Sequence, residues 1–322
     1  MSALCEIRGV TVTYRGSADV RAVENVSLTI GRGEIVGLAG ESGCGKSTLV
    51  MALTRLLDRG GEISEGQILF QGRDLAALSE AELRQLRWSR ISLVTQSAMS
   101  SLNPVLTVGE QIADAILAHT KATRREAWNR SRELLRAVEV DPERVKSYPH
   151  ELSGGMRQRV MIAMALALHP DLIVMDEPTT ALDVVVQRQI IKKIRELQAQ
   201  FGFSILFITH DMSLLLAIAD RIAIMYAGEI VEIGTRDEIR DAPQHPYTQG
   251  LLNSFPSVFE KRALAGIGGS PPSMVRPPAG CRFHERCPAA VAACRTEVPA
   301  RTVLSDTHAA HCHLLKGGEH RD

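Results

Sequence analysis

The segment Gly40-Glu-Ser-Gly-Cys-Gly45-Lys46-Ser47 has the glycine spacing and the closing Lys-Ser of a phosphate-binding loop. Glycines let backbone N–H groups wrap phosphate oxygens, and a following helix N-terminus adds a favourable dipole. Lys46 can reach the β- and γ-phosphates, and the Ser47 hydroxyl can ligate Mg²⁺. Ser42, Gly43, Cys44 and Thr48 complete the cradle. A chance Gly-rich turn would supply the four fixed positions in roughly one chain of this length in a hundred. Leu172-Ile-Val-Met-Asp176-Glu177 provides the complementary half. Asp176 can hold the metal, and Glu177 can polarise an attacking water. Two adjacent carboxylates alone are as often plain surface charge, and the loop at Gly40 is what turns them into candidates for chemistry.

These residues need elements to hold them. Glu34–Ala39 is an apolar run ending in glycine, followed by a helix-like stretch from Lys46 to Leu57, so the loop lies between a strand and a helix. Asp171–Met175 and Ser204–Ile208 are continuous apolar runs of the buried parallel type, separated by a charged helical segment from about Val185 to Gln200. The fold class is therefore α/β. Residues 4–13 and 26–30 alternate apolar and polar positions, as half-buried strands of an antiparallel edge do. Between Thr107 and Val140, Ile112, Ile116, Leu134, Leu135 and Val138 fall at helical spacings, predicting an inserted helical subdomain over about residues 97–165. Met225–Ile233 reads as a hairpin turning at Ala227-Gly228, and Gly266–Gly280, with Pro271-Pro272 and Pro277-Pro278, as a linker.

Composition narrows the partners. Lys plus Arg and Asp plus Glu both number 37, so the chain lacks the basic balance that phosphate backbones select, and nucleic acid is disfavoured. The start has no basic region followed by an apolar stretch, so no secretory signal is expected. The longest apolar run, Val160–Leu168, is about half a bilayer span, and any membrane role is peripheral. Six cysteines in such a chain do not suggest a disulfide framework.

Leu152-Ser-Gly-Gly-Met-Arg-Gln-Arg159, just before the Asp176-Glu177 strand, resembles the signature sequence of the ABC ATPase family. The resemblance implies a P-loop NTPase core over residues 1–240 that binds and hydrolyses Mg-ATP. Tyr14 is placed like the aromatic that stacks on adenine, with an ordinary strand tyrosine as the alternative. Gln96 resembles the glutamine that senses γ-phosphate and metal, Thr180-Ala-Leu-Asp183 the D-loop, and His210 the switch histidine. In the family two cassettes clamp head to tail, so Ser153, Gly154 and Gly155 would face the γ-phosphate held by the opposite chain; Ser153 also suits a helix cap. On this reading Glu177 is the general base or water-orienting group, His210 keeps it in register, Lys46 offsets developing charge, and Ser47, Gln96 and Asp176 hold Mg²⁺.

Beyond residue 240, His245-Pro-Tyr-Thr-Gln-Gly-Leu-Leu-Asn-Ser-Phe-Pro256 and Gly280-Cys281-Arg-Phe-His-Glu-Arg-Cys287-Pro resemble the C-terminal extension of oligopeptide, dipeptide and nickel importer ATPases. Cys281, Cys287, Cys294 and Cys312 are separated by five, six and seventeen residues, a spacing that identifies no metal by itself. The resemblance raises a [4Fe-4S] cluster, with zinc assisted by His311 or His313, or unligated thiols, as the other outcomes. Cys44 reads as a small loop residue and Cys5 as a strand residue. The family implies a second ATPase chain, generally a different one, two permeases and an extracytoplasmic binding protein, with this chain placed peripherally at the cytoplasmic face of the membrane. A soluble cassette in repair or translation is the competing class, disfavoured by a single loop, a single signature and no long heptad run.

Overall fold

The computed structural model describes residues 2–95, 101–180, 182–254 and 266–315. In chain order the strands are β1 (Ala3–Tyr14), β2 (Val20–Gly31), β3 (Ile35–Ala39), β4 (Gly61–Phe70), β5 (Arg73–Asp74), β6 (Ile91–Val94), β7 (Leu172–Asp176), β8 (Ser204–Ile208), β9 (Arg221–Tyr226), β10 (Glu229–Thr235), β11 (Arg301–Val303) and β12 (Ala309–His311). The described helices are α1 (Lys46–Thr54), α2 (Glu80–Leu86), α3 (Val108–His119), α4 (Arg124–Ala137), α5 (Gly154–Ala165), α6 (Val184–Phe201), α7 (Met212–Ile218), α8 (Arg236–Asp241) and α9 (Pro246–Asn253). They divide into two compact units.

One unit comprises Met1–Leu4, Ile30–Ile35 and Ala77–Ile208. Parallel strands β6, β7 and β8 run through it in register, Val94 opposite Met175 and Asp176 opposite Ile208. Every residue of β7 and β8 is buried, which explains their unbroken apolar sequences: a parallel strand covered on both faces has no solvent side to mark with polar residues. Helices α3 and α4 pack on each other, and α4 on α5. Each of α3 and α4 opens with a capping box, Thr107 with Glu110 and Thr123 with Glu126, in which the hydroxyl accepts from the third amide and the carboxylate accepts back from the cap amide. Helices α3, α4 and α5 fall within the stretch expected to form a helical subdomain, whose first residues, with Gln96, lie outside the described residues.

The other unit comprises Cys5–Thr29, Val36–Ala76 and Thr209–Asp322. An antiparallel sheet runs β2-β1-β4-β5, with Cys5 opposite Phe70 and Tyr14 opposite Gly61. Beside it, β3 pairs in parallel with β9, β9 antiparallel with β10, β10 with β12 and β12 with β11. The β9–β10 hairpin turns at Ala227 (φ 45°) and Gly228 (φ 91°), two left-handed residues whose twist matches the strands they join. Residues 241–254 and 266–315 thus share a unit with the loop at Gly40, a placement the sequence offered no means of reading.

Candidate nucleotide-binding site

The Gly40–Ser47 loop leaves β3 and enters α1, and its shape depends on missing side chains. Gly45 sits at φ 105° just before α1, where a Cβ would lie 2.3 Å from the Ala22 carbonyl oxygen. A Cβ on Gly40 would lie 2.2 Å from the carbonyl oxygen of Met225. Neither backbone oxygen can retreat, so both positions accept glycine alone. The first turn of α1 carries no side-chain cap, which leaves its amides directed at whatever the loop encloses. Ser42, Gly43 and Ser47 are exposed. Lys46 is buried, and its Nζ donates to the carbonyls of Gly40 at 2.7 Å and Glu41 at 2.9 Å. An ammonium held on two neutral carbonyls, inside a loop shaped for anions, is poised to meet incoming phosphate charge. Cys44 is buried behind the loop, and burial raises its thiol above the ordinary range despite the neighbouring Lys46, so it packs as a thiol.

In the same unit Tyr14 ends β1, partly exposed, with its ring against Gly61. His210 is exposed and directly precedes Asp211, whose carboxylate caps α7 by accepting from the Ser213 amide. The other unit holds the carboxylates. Asp176 is the last residue of β7 and is buried. Glu177 follows in the left-handed region at φ 47°, its amide donating to the Ile208 carbonyl at 2.9 Å and its Oε2 accepting from Thr180 Oγ1 at 3.1 Å. A non-glycine residue in that conformation costs of order 1–3 kcal/mol, and the two hydrogen bonds hold the carboxylate in place against it. Ser153 caps α5, accepting from the Met156 amide at 3.3 Å. Asp183 caps α6 through the amides of Val185 and Val186. Ser153 and Asp183 are both exposed. A Cβ on Gly155 would approach Val186 Cγ1 to 2.8 Å, so the start of α5 sits close against α6.

The extension brings residues to the loop that sequence reasoning missed. Arg286 donates to both carboxylate oxygens of Glu41, at 2.7 and 2.9 Å, and Tyr247 Oη accepts from the Glu41 amide at 3.0 Å. Below them Glu232, wholly buried, accepts from the amides of Gln244 (2.7 Å) and His245 (2.9 Å) and is bonded to His308 Nε2 (2.8 Å). No spacing rule pairs residues separated by more than 200 positions. The only sequence signals were two arginines, Arg282 and Arg286, between Cys281 and Cys287 and a Tyr after His-Pro.

The expectation of a metal at Cys281, Cys287, Cys294 and Cys312 needs correction. Among the described residues no group of three or more His, Cys, Asp or Glu side chains is placed to hold a metal ion, so the set does not fit a cluster or zinc as it stands. All four are free thiols. Burial pushes the Cys281 thiol up to about 11, with the neighbouring cysteines adding to the rise. His313 bonds instead to the Glu297 carbonyl.

Comparison with known proteins agrees with this reading of the loop and the extension. Residues 23–180 match the ABC transporter family, and residues 231–294 match the oligopeptide/dipeptide transporter C-terminal region. The dipeptide transport ATP-binding protein DppD of Bacillus subtilis is 45% identical over 94% of this chain and 91% of its own length. The oligopeptide transport ATP-binding protein OppD of the same organism is 42% identical over 98% of this chain and 90% of its own. Among solved structures, the ATP-binding cassette MJ0796, in a dimeric post-hydrolysis state bound to ADP and Pi, superposes with a TM-score of 0.65 at 30% identity, over 72% of this chain and 98% of that one. With near-full-length identity above 40% and the cassette fold in hand, the chain belongs to the ABC transporter ATP-binding family.

Proposed function

We propose that this chain is the ATP-hydrolysing subunit of an ABC importer for peptides. The observation that carries the reading is the loop at Gly40–Ser47, closed to any Cβ at Gly40 and Gly45 and holding the Lys46 ammonium on its own carbonyls. It belongs to a chain that aligns over 94–98% of its length with dipeptide and oligopeptide transport ATP-binding proteins, and residues 231–294 match the transporter C-terminal region.

Residues 1–240 form the nucleotide-binding domain and 241–322 the extension. The loop amides and α1 bind the β- and γ-phosphates, Lys46 moves from its carbonyls to the γ-phosphate, and Tyr14 stacks on adenine. Ser47, Asp176 and Gln96 would hold Mg²⁺, which would neutralise charge on the phosphates when bound. Glu177, fixed by Ile208 and Thr180, orients the water that attacks Pγ and takes its proton as the bond to the β-phosphate oxygen breaks. His210 keeps the γ-phosphate and Glu177 in register. Ser153, Gly154, Gly155 and Asp183 serve the site of a second ATPase chain, which is why these helix starts are left open to solvent. No described helix is long and apolar enough to cross a membrane; on this reading separate permeases form the path and an external binding protein brings the solute.

The test is Glu177→Gln in the chromosomal copy, with uptake of labelled peptides and of nickel followed side by side. Loss of peptide uptake with nickel uptake intact, and with ATP still bound by the purified transporter, is the expected result. Loss of nickel uptake alone would change the cargo, and no change in either would overturn the importer reading.

A further inference from the structure

The segment from Cys281 to Cys287 reaches the phosphate loop and its supports with two arginines. Arg286, its side chain 5% exposed, forks onto the Glu41 carboxylate. Its three remaining donors go to the Gly268 carbonyl (2.8 Å), Tyr226 Oη (3.2 Å) and the Ile267 carbonyl (3.4 Å). Arg282 donates to the Ala227 carbonyl and pairs with Glu24 and Glu229. Ala227 lies in the same turn as Gly228, whose amide donates to the Cys44 carbonyl at 2.8 Å. The two arginines thus grip the loop at its second residue and the turn that supports its fifth.

The grip is rigid because its bases are packed. Tyr226, Tyr247 and Phe283 are buried with ring centroids 4.6 to 5.3 Å apart, and the Arg286 guanidinium lies 5.7 Å from the Tyr226 ring. Glu41 is consequently fixed at three points: its amide by Tyr247, its carboxylate by Arg286 and its carbonyl by Lys46. A carboxylate on a loop that receives polyphosphate is an electrostatic liability, and a bidentate guanidinium cancels it at the closest range geometry allows.

We infer that Arg286 and Tyr247 are positioning residues for the nucleotide: they hold the phosphate loop in its receiving shape and neutralise Glu41, so that the C-terminal extension is part of the ATP site. The inference rests on the assignment of Gly40–Ser47 as that site. A loop already ordered spares ATP the entropy of ordering it, so loosening the grip shows first in affinity.

The test measures binding of a fluorescent ATP analogue, ATP-hydrolysis constants and thermal unfolding midpoints for the full chain and its variants. Arg286→Met is expected to weaken binding about ten-fold, because Glu41 is left charged and unpaired beside the phosphates. Adding Glu41→Gln to it recovers most of that loss, since the unpaired charge is gone. Tyr247→Phe keeps the ring packing and removes only the acceptor of the Glu41 amide; a several-fold weakening at an almost unchanged midpoint is expected, with the loss in KM rather than kcat. If Arg286→Met does not fold, Tyr247→Phe and Arg286→Lys decide. Affinities within two-fold of wild type in the folded variants, whatever their midpoints, would overturn the inference. Failure of the wild-type chain itself to bind the analogue more tightly than Lys46→Ala would instead overturn the nucleotide-site assignment, and the inference with it.

Discussion

His245 offers a sharp test of how the extension is held. The ring is 1% exposed, packs on Phe283 at 5.7 Å between centroids, and its Nδ1 accepts from the Tyr247 amide at 3.0 Å, capping α9. That bond requires Nδ1 to be unprotonated. Burial, with His311 nearby, lowers its pKa from the ordinary 6.5 to about 3. The unfolded chain therefore binds a proton below pH 6.5 that the folded chain refuses until about pH 3, so this contribution is complete above 6.5 and lost as pH falls through that window. At pH 5 the loss is about 2 kcal/mol, equivalent to about a thirty-fold change in an opening equilibrium. Trp88 and Trp128 both lie in the other unit, so fluorescence is the wrong probe. Amide hydrogen exchange of α9, corrected for intrinsic rates, reads the site directly. Between pH 7 and pH 5 the wild type should lose about thirty-fold in protection. His245→Asn, whose Oδ1 can still cap the helix, should lose little beyond its lower starting point. An equal loss in both proteins, or none in the wild type, would refute the reasoning.

Two further substitutions probe the loop and the base of the extension. Gly45→Ala forces a Cβ to within 2.3 Å of the Ala22 carbonyl at φ 105°, so nucleotide binding should be lost and stability fall by about 2 kcal/mol or more, read by titration and thermal unfolding. Unaltered binding would show that the loop can re-form elsewhere. Glu232→Leu strands the amides of Gln244 and His245 together with His308, and should cost about 3–5 kcal/mol in urea unfolding followed by circular dichroism. Glu232→Gln, which keeps one acceptor, should cost clearly less, and equal costs would refute the hydrogen-bond argument.

The parts of the fold that sequence made legible are those governed by local physics. The runs at 171–175 and 204–208 are buried strands because continuous apolarity admits little else at that length, and the hairpin turn falls on Ala227-Gly228 because two left-handed residues are needed there. The glycine-rich loop and the Asp176-Glu177 pair stand out in the sequence by motif and position and Ser153 by its suitability as a cap, whereas Asp183 enters only through the resemblance to the D-loop. Strand β4 was not, since Gly61–Phe70 is mostly exposed and lacks a run of apolar residues to mark it. Strands β11 and β12, three residues each, are shorter than any periodicity. The Arg286–Glu41 and Glu232–His308 pairs depend on chain folding over long separations, and residue type alone does not encode a partner. A metal at the four cysteines finds no support among the described residues, and for a related reason: sequence can count donors, but it does not set their distances.

The pairing of β12 onto β10 has a consequence beyond nucleotide chemistry. Without residues 301–311, β10 would present unsatisfied amides and carbonyls on a strand whose five middle residues are buried, the kind of rim on which chains stack into aggregates. The chain instead ends that rim with β11, only three residues long and led by the exposed Arg301, a poor template for further addition. The last stretch of sequence therefore also guards solubility. A cassette trimmed to its nucleotide-binding core would be expected to stick to its own copies before any loss of catalysis could be measured.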